Sequence, residues 1–499
     1  MRLSFWRKCR TAFRWCRISV WLLVLVVLAT LGWLNRVGLP DFLKTRLVTE
    51  LRSHGVDLEF SRMRLHLYRG IVADNVRIGG AQTADSPKLS VAEVQLQLDL
   101  PALLHLKLQP DGLVLRQGRL TWPLSATNAL TVDHIQSVLH FRPNDTWALE
   151  NFKADFADTK IVLSGEISHA PELLQWPIFR GRKTAGREQV QTELQKISDT
   201  LNRIHLAGAP QIILVVDGDA RDVHSFTVRL NAIAPFADTP WARARDFQLE
   251  ARLTAPASAP TNYDAGWGFW TNAQPFALAG TAQAATLETG SLKLDDVKLD
   301  LRWHAPELVV SNLSAALGGG RSVALARLNV ATRQLVFTNA SCFDISAITG
   351  LLTKKARAKL TNISWQQPPV LEVGGSLVLP GWTNPPPDWI GTVRPGVCLH
   401  GSLAVTNITV AGLTLQSART EFVYSNQVWH LPDLELIRDR TWLAADGWLD
   451  EVTQQFHSRV WGTFDPVVMR PYLPEHVRET ELGEMTGNQP LRLDVIVNG

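Results

Sequence analysis

The feature that most constrains this fold is the alternation of apolar and polar residues, which recurs from about residue 56 to the end of the chain. Residues 94–100 (VQLQLDL) place four aliphatic side chains on one face, and residues 297–301 (VKLDL) and 491–495 (LRLDV) repeat the pattern. An alternation of period two is typical of β-strands that bury one face and expose the other. The sequence therefore predicts a mainly β fold, built on a large antiparallel sheet with one apolar and one polar face.

The first 34 residues predict a membrane anchor. Residues 1–17 hold six Lys and Arg and no acidic residue, and residues 18–34 are seventeen residues without a charge. At about 1.5 Å per residue this helix spans roughly 26 Å, slightly short for a bilayer. The positive flank is expected to stay in the cytoplasm, so the rest of the chain is exported. A cleaved signal peptide is the alternative interpretation.

Aromatic residues mark both ends of this helix, as is common at membrane interfaces. The predicted anchor residues are Trp21, Leu22, Leu23, Val24, Leu25, Val26, Val27, Leu28 and Trp33.

Two helices are expected outside the anchor. Residues 40–54 form a short opening helix in the sequence pattern, and residues 186–206 carry an apolar stripe at helical spacing. The stripe consists of Val190, Leu194, Ile197, Leu201 and Ile204. We expect it to pack on the sheet, with binding of a partner protein as the alternative.

These signals divide the chain into five regions. They are a cytoplasmic tail (1–17), a transmembrane anchor (18–34), an N-terminal β segment with a short opening helix (35–170), a helical insertion (171–210) and a continued β region (211–499). The last region ends in a strand-like run, so it is either truncated or ends on an edge strand.

Net charge and cysteine content limit which partners and which covalent links are expected. The first 17 residues carry a charge of +6 and the whole chain +3, so the exported part is near −3 and has no basic footprint for nucleic acid. The four cysteines include Cys342 and Cys398 in the exported part, which predicts either a disulfide between them or two unpaired buried thiols.

No motif for catalysis, for a metal ion or for another cofactor is found, and we expect a protein that is not an enzyme. Residues 318–320 (GGG) lack the Lys-Ser/Thr of a phosphate-binding loop and predict a tight turn or a β-bulge. Fourteen of the 18 tryptophans lie beyond the anchor. They predict core packing or an aromatic rim for contact with lipid, at Trp303, Trp365, Trp429, Trp442, Trp448 and Trp461.

The order of these features resembles the AsmA-like family of bacterial envelope proteins. The passages that carry the resemblance are the anchor with its following "LPDF", "GVDLEFSRMRLHLYRGIVADNVRIGG" (55–80), "AALGGGRSVALARL" (315–328), "CFDISAITGLL" (342–352) and "WGTFDPVVMRPYLP" (461–474). The resemblance implies an elongated, curled sheet with a repeating apolar β-groove, similar to the bridge-like lipid-transfer proteins. It also implies a single-pass protein of the bacterial inner membrane, with most of the chain in the periplasm.

The expected function follows from these features. We expect the chain to bind phospholipid or another acyl lipid along its apolar face and to support phospholipid transport or maintenance of the outer membrane. The candidate lining residues are Leu96, Leu98, Leu100, Leu294, Leu299 and Leu301. The alternative is a scaffold that assists assembly of outer-membrane or secreted proteins by pairing with client strands.

Overall fold

The structure is a computed structural model. It describes residues 15–26, 29, 32, 58–66, 70–78, 88–99, 101–102, 110–123, 129–156, 159–175, 203–256, 270, 273–352, 354–360, 362–381, 389–410, 412–465 and 490–499. The predicted opening helix at 40–54 lies outside these residues, as do Val27, Leu28, Trp33 and Leu100.

The fold is mainly β, as predicted, and its strands belong to one mixed, largely antiparallel sheet. The strands are β1 (Leu58–Glu59), β2 (Arg62–His66), β3 (Gly70–Ile78), β4 (Lys88–Leu98), β5 (Pro110–Pro123), β6 (Ala129–Arg142), β7 (Thr146–Phe156), β8 (Thr159–Ser168), β9 (His205–Ala207), β10 (Gln211–Asp219), β11 (Asp222–Asp238), β12 (Arg243–Thr254), β13 (Ala277–Thr289), β14 (Leu292–His304), β15 (Glu307–Leu317), β16 (Gly320–Asn329), β17 (Gln334–Cys342), β18 (Ile363–Trp365), β19 (Val370–Val378), β20 (Cys398–Val410), β21 (Leu413–Ser425), β22 (Val428–Arg438), β23 (Thr441–Asp450), β24 (Phe456–Phe464) and β25 (Leu491–Asn498).

Helical elements in the described residues are short. They are 3-10 turns at Ala170–Gln175, Ile345–Leu351 and Arg394–Gly396, a π-helical turn at Trp389–Val393, an α-helix at Lys354–Leu360, and a helical stretch over residues 15–26.

The chain divides into two compact units. The first comprises residues 1–203 and 209–228, and the second comprises residues 204–208 and 229–499. In the first unit β3 to β8 form consecutive antiparallel pairs, with β1 and β2 both on β3. In the second unit β12 to β17 pair in order, then β17 with β19 and β19 through β25.

One pairing departs from the predicted antiparallel order. Strand β10 pairs with β8 in parallel, with Gln211 opposite Lys160 and Leu214 opposite Leu163. A parallel partner needs a long crossover, because the chain must return to the starting end of the sheet before it pairs again. Residues 169–210 supply that length.

The predicted helix at 186–206 is wrong at its C-terminal end. His205–Ala207 form strand β9, in which Leu206 pairs with Ala237 of β11. Leu206 also packs on the cluster of Ala234 and Ala237, so burial in the sheet overrides the helical spacing there. Residues 176–202 of this prediction lie outside the described part of the chain.

The glycine run at 318–320 is a tight turn, as predicted. It joins β15 to β16, and Gly318 and Gly319 both have positive φ angles, of 52° and 72°. Two consecutive left-handed residues match the twist of a β-hairpin and strongly favour glycine. A side chain at Gly320 would lie against the carbonyl of Cys342 in the neighbouring strand.

A β-bulge in β14 changes which residues share a face. Asp296 has a φ of 55°, and the register with β15 shifts between Asp295 and Lys298. The extra residue lets Leu294 and Val297, three positions apart, pack in one cluster with Ala284.

The disulfide between Cys342 and Cys398 is a wrong prediction, because both thiols are free. Cys342 pairs with Val370 and Cys398 with Ser376, positions six residues apart along β19. That separation is about 20 Å along a strand, far beyond the reach of a disulfide.

Residues 15–26 are helical and carry exposed apolar side chains, which include Trp21, Leu22, Leu23, Val24, Leu25 and Val26. Within the described residues, no helix reaches both the length and the apolar character that crossing a membrane requires.

Candidate functional site

One row of directly paired residues crosses twelve strands of the second unit without a charged or polar side chain. Residues directly opposite each other in an antiparallel sheet lie on the same face. The row, named here the apolar row, consists of Ala251, Gly280, Leu301, Val310, Ala326, Phe337, Gly375, Leu399, Tyr424, Trp429, Leu449 and Phe456. Tyr424 turns its hydroxyl to Glu451 and leaves its ring in the row.

The adjacent row has a different composition because it lies on the other face. Its members are Arg252, Ala279, Arg302, Val309, Arg327, Val336 and Ser376. Its three arginines are all exposed. The second unit therefore separates an apolar face from a mixed, charged face, as the alternation predicts.

Several large side chains of the apolar face are half-buried, whereas Trp303 and Tyr424 on the same face are buried. Leu301, Val310, Phe337 and Leu399 are all of this intermediate class. Across the described residues, the largest side chains with less than 2% exposure are Val91, Val330 and Pro210. A sandwich of two sheets would enclose its leucines and phenylalanines completely. The apolar face thus offers accessible hydrocarbon surface along its length.

One buried cluster of the second unit consists of small side chains, which are Ala234, Ala237, Ala244, Ala284, Val297 and Ala315. Two other clusters contain larger side chains, with Trp303 and Val330 in one and Val405, Ile408 and Leu415 in the other. Small side chains let backbones and neighbouring groups approach closely but leave little apolar area of their own.

The first unit has a shorter row of the same kind. Ile71, Leu96, Leu113, Leu139 and Leu149 are directly paired across β3 to β7, and all are half-buried.

The structure places the predicted lining residues as follows. Leu299 and Leu301 lie on the apolar face of β14, and Leu301 belongs to the apolar row. Leu294 packs on the alanine-rich cluster beside the bulge. Leu96 belongs to the row of the first unit, and Leu98 is half-buried opposite Pro110. The structure thus groups these residues in two separate units.

Sequence reasoning missed most of the apolar row. Phe337, Leu399 and Leu449 were not singled out, and Trp429 was named only as one of the tryptophans expected in the core or in an aromatic rim. The alternation shows which residues of one strand share a face, but it does not show which strands are neighbours.

The tryptophans divide between packing and exposure. Trp303 is buried, donates its indole N–H to the carbonyl of Ala273 at 3.0 Å and packs on Trp270 with ring centroids 4.7 Å apart. Trp365 packs beside Val405 and Ile408. Trp442 and Trp448 are exposed on the charged face, and Trp461 is half-buried under Arg459.

A polar cluster lies beside two aromatic members of the apolar row, Tyr424 and Trp429. The carboxylate of Glu451 accepts hydrogen bonds from Arg394, from the Tyr424 hydroxyl at 3.1 Å and from the Trp429 indole N–H at 3.1 Å. Partial burial alone raises the pKa of Glu451, but the hydrogen bonds from Arg394, Trp429 and Tyr424 outweigh it and hold the pKa below its usual value. Arg394 precedes β20 and Glu451 follows β23, so this contact joins distant segments.

A second side-chain contact joins His169 to Asp219. Nδ1 of His169 lies 3.0 Å from Oδ1 of Asp219, at the ends of the parallel strands β8 and β10. The backbone N–H of Arg221, and next the His169 ring, lower the pKa of Asp219. Within the described residues, no group of three His, Cys, Asp or Glu side chains is arranged to hold a metal ion.

Two cavities are lined by both polar and apolar side chains. One, of about 210 Å³, contains Arg243 and Asp238, which form an ion pair at 3.2 Å. The other, of about 530 Å³, contains Glu93, Arg116, Gln136 and Lys153 of the first unit. Neither of these two cavities is lined by a member of the two apolar rows.

Comparison of the chain with protein-family models, with curated proteins and with solved structures finds no match.

Proposed function

We propose that this chain binds the acyl chains of phospholipids along its apolar face and carries lipid within the bacterial envelope. The observation that supports the proposal is the apolar row, which runs across twelve strands and most of whose members are half-buried. Each methylene that leaves water for such a surface contributes roughly 0.8 kcal/mol, so acyl chains gain free energy along the row while headgroups stay hydrated.

The proposal includes a location. The basic residues 1–17 and the apolar residues 18–34 support anchoring in the inner membrane with the sheet in the periplasm. The resemblance to the AsmA-like family is consistent with the same place and role. Binding and transfer of lipid along a surface need no bond chemistry, and the proposed role is therefore not enzymatic.

Two neighbouring residues on opposite faces offer a direct test. Phe337 belongs to the apolar row, whereas Val336 is 45% exposed on the charged face. A photo-crosslinking phenylalanine analogue is placed at 337 or at 336 in the full chain, irradiated in cells and examined by mass spectrometry. We expect phospholipid adducts at 337 and few at 336, because acyl chains contact one face only.

Two outcomes would contradict the proposal. Equal lipid adducts at 336 and 337 would indicate general contact with membranes. Polypeptide adducts at 337 without lipid would favour a scaffold that holds client proteins.

A further inference from the structure

The hairpin formed by β23 and β24 ends in large apolar side chains that project in three directions. Leu449 and Phe456, 40% and 37% exposed, are direct partners on the apolar face. Trp448, 37% exposed, lies on the opposite face beside His457, and Val452, 65% exposed, lies in the turn. We name these four residues the apolar tip. A group of this size and exposure is costly in water unless something covers it.

The charges next to the apolar tip are bonded within the protein. Glu451 is held by Arg394, Tyr424 and Trp429, and its backbone N–H donates to the carbonyl of Gln427 at 3.0 Å. Oδ1 of Asp450 accepts the backbone N–H groups of Val452 at 2.7 Å and Thr453 at 3.1 Å.

The other turn residues, Thr453, Gln454 and Gln455, are uncharged. The turn therefore presents apolar and neutral polar groups outward, while the Glu451 carboxylate is directed to Arg394 and the Asp450 carboxylate accepts N–H groups of the turn itself.

The geometry points to a lipid bilayer as the partner: we propose that the apolar tip inserts into a membrane surface. Apolar side chains that project from both faces and from the turn form a wedge. A fluid bilayer surrounds a wedge on all sides, whereas a folded protein surface would cover only one face. Trp favours the headgroup level, and Val, Leu and Phe favour the acyl region below it.

The position of the apolar tip deepens the proposed lipid-binding function and rests on it. Leu449 and Phe456 are the last two members of the apolar row. An acyl chain on that row would reach an inserted tip without crossing a polar surface. The apolar tip is thus placed to connect the lipid-binding face with a bilayer.

A local probe tests insertion directly. The full chain, with its four native cysteines replaced by serine, carries Val452→Cys labelled with a fluorophore that brightens in apolar surroundings. Val223→Cys is the matched control, since Val223 is also an exposed valine, 50% accessible, near a turn. With vesicles of uncharged phosphatidylcholine we expect a several-fold increase at 452, quenched by lipids that carry a quencher in their acyl chains, and no change at 223. No response at 452, or the same response at both positions, would overturn the proposal.

A second measurement tests whether a charged or polar substitution in the apolar tip weakens binding to vesicles. The full chain in lipid nanodiscs is mixed with separate phosphatidylcholine vesicles and floated. We expect Val452→Glu and Trp448→Ser to lower co-flotation by roughly tenfold, which corresponds to 1.4 kcal/mol, and Val223→Glu to leave it unchanged. Binding that needs anionic lipid and disappears in high salt would contradict apolar insertion.

These experiments distinguish failure of the proposed lipid binding from failure of the proposed membrane insertion. If Val452→Glu abolishes vesicle binding while lipid adducts at Phe337 persist, both the lipid-binding face and the apolar tip are supported. If the label at 452 inserts but no lipid is found at Phe337, the apolar tip is supported and the lipid-binding function fails.

Discussion

At the scale of single residues, Glu451 has the largest number of hydrogen-bonded side-chain partners described above. It lies in a turn, yet it contacts Arg394, 57 positions earlier in the chain, and two aromatic residues of the apolar row. Because the indole and phenol groups point their polar atoms at one carboxylate, their rings remain on the apolar face. The Glu451 carboxylate thus orients the two aromatic side chains, Tyr424 and Trp429, in that part of the apolar face.

Replacement of Glu451 tests this role through the pH dependence of stability. The pKa of Glu451 is lowered in the folded protein, so its contribution is complete above the unfolded pKa and is lost as the pH falls through the folded pKa. We expect Glu451→Gln to lower Tm by about 2 °C near neutral pH and by less in acid, where the native carboxyl is also neutral.

Thermal unfolding between pH 7 and pH 3 measures this difference. Glu421→Gln, at an exposed position on β21, is the control and should show no such convergence. If the Tm of Glu451→Gln stays below that of the native protein by the same amount down to pH 3, the charge of Glu451 does not stabilise the cluster.

At the scale of elements, bulges set the faces of the strands. In β14, Leu292 and Leu294 precede the bulge at Asp296, and Val297, Leu299 and Leu301 follow it. Strict alternation would place Leu294 and Leu299 on opposite faces. The left-handed backbone of Asp296 restores both to the apolar side, and Asp is among the few residues that tolerate that conformation.

The bulge makes a prediction about backbone strain. Asp296→Val places a β-branched residue at a φ of 55° and should destabilise the fold by about 1–2 kcal/mol. Asp295→Val, at the neighbouring exposed position, should cost less because valine suits extended backbone. Denaturant unfolding of the two variants gives the comparison. Equal losses would mean that the bulge is not required for the position of Leu294.

At the scale of the whole molecule, two compact units each carry an apolar row. The row of the first unit, Ile71 to Leu149, is made by β3 to β7, and the row of the second is made by twelve other strands. Each unit therefore carries an apolar surface made by its own strands, and under the proposed function each surface would contact lipid.

Independent rows predict independent lipid contact. A photo-crosslinker at Leu113 should yield lipid adducts as one at Phe337 does, and Leu301→Glu should reduce adducts at 337 while leaving those at 113 largely intact. The mass spectrum of each adduct, measured in both backgrounds, checks this. If Leu301→Glu abolishes the lipid adducts at both 113 and 337, the two units do not bind lipid independently.

The sequence alone predicted a substantial part of this description. Alternation identified β14 and β4 as strands with Leu301 and Leu96 on their apolar faces, and the glycines at 318–320 identified a turn. These signals are local, since the side chains of one strand alternate whatever its neighbours are. The helix predicted to reach residue 206 failed because Leu206 pairs with β11 and packs, half-buried, on the cluster of Ala234 and Ala237.

The tertiary structure alone decided how strands combine. It made the parallel pair of β8 and β10, separated Cys342 from Cys398 and aligned one apolar residue from each of twelve strands. It also brought Arg394 to Glu451 and grouped Trp448, Val452 and Phe456 at one hairpin end. Strand order and register depend on pairing energies between segments far apart in the chain, which a period of two residues does not encode.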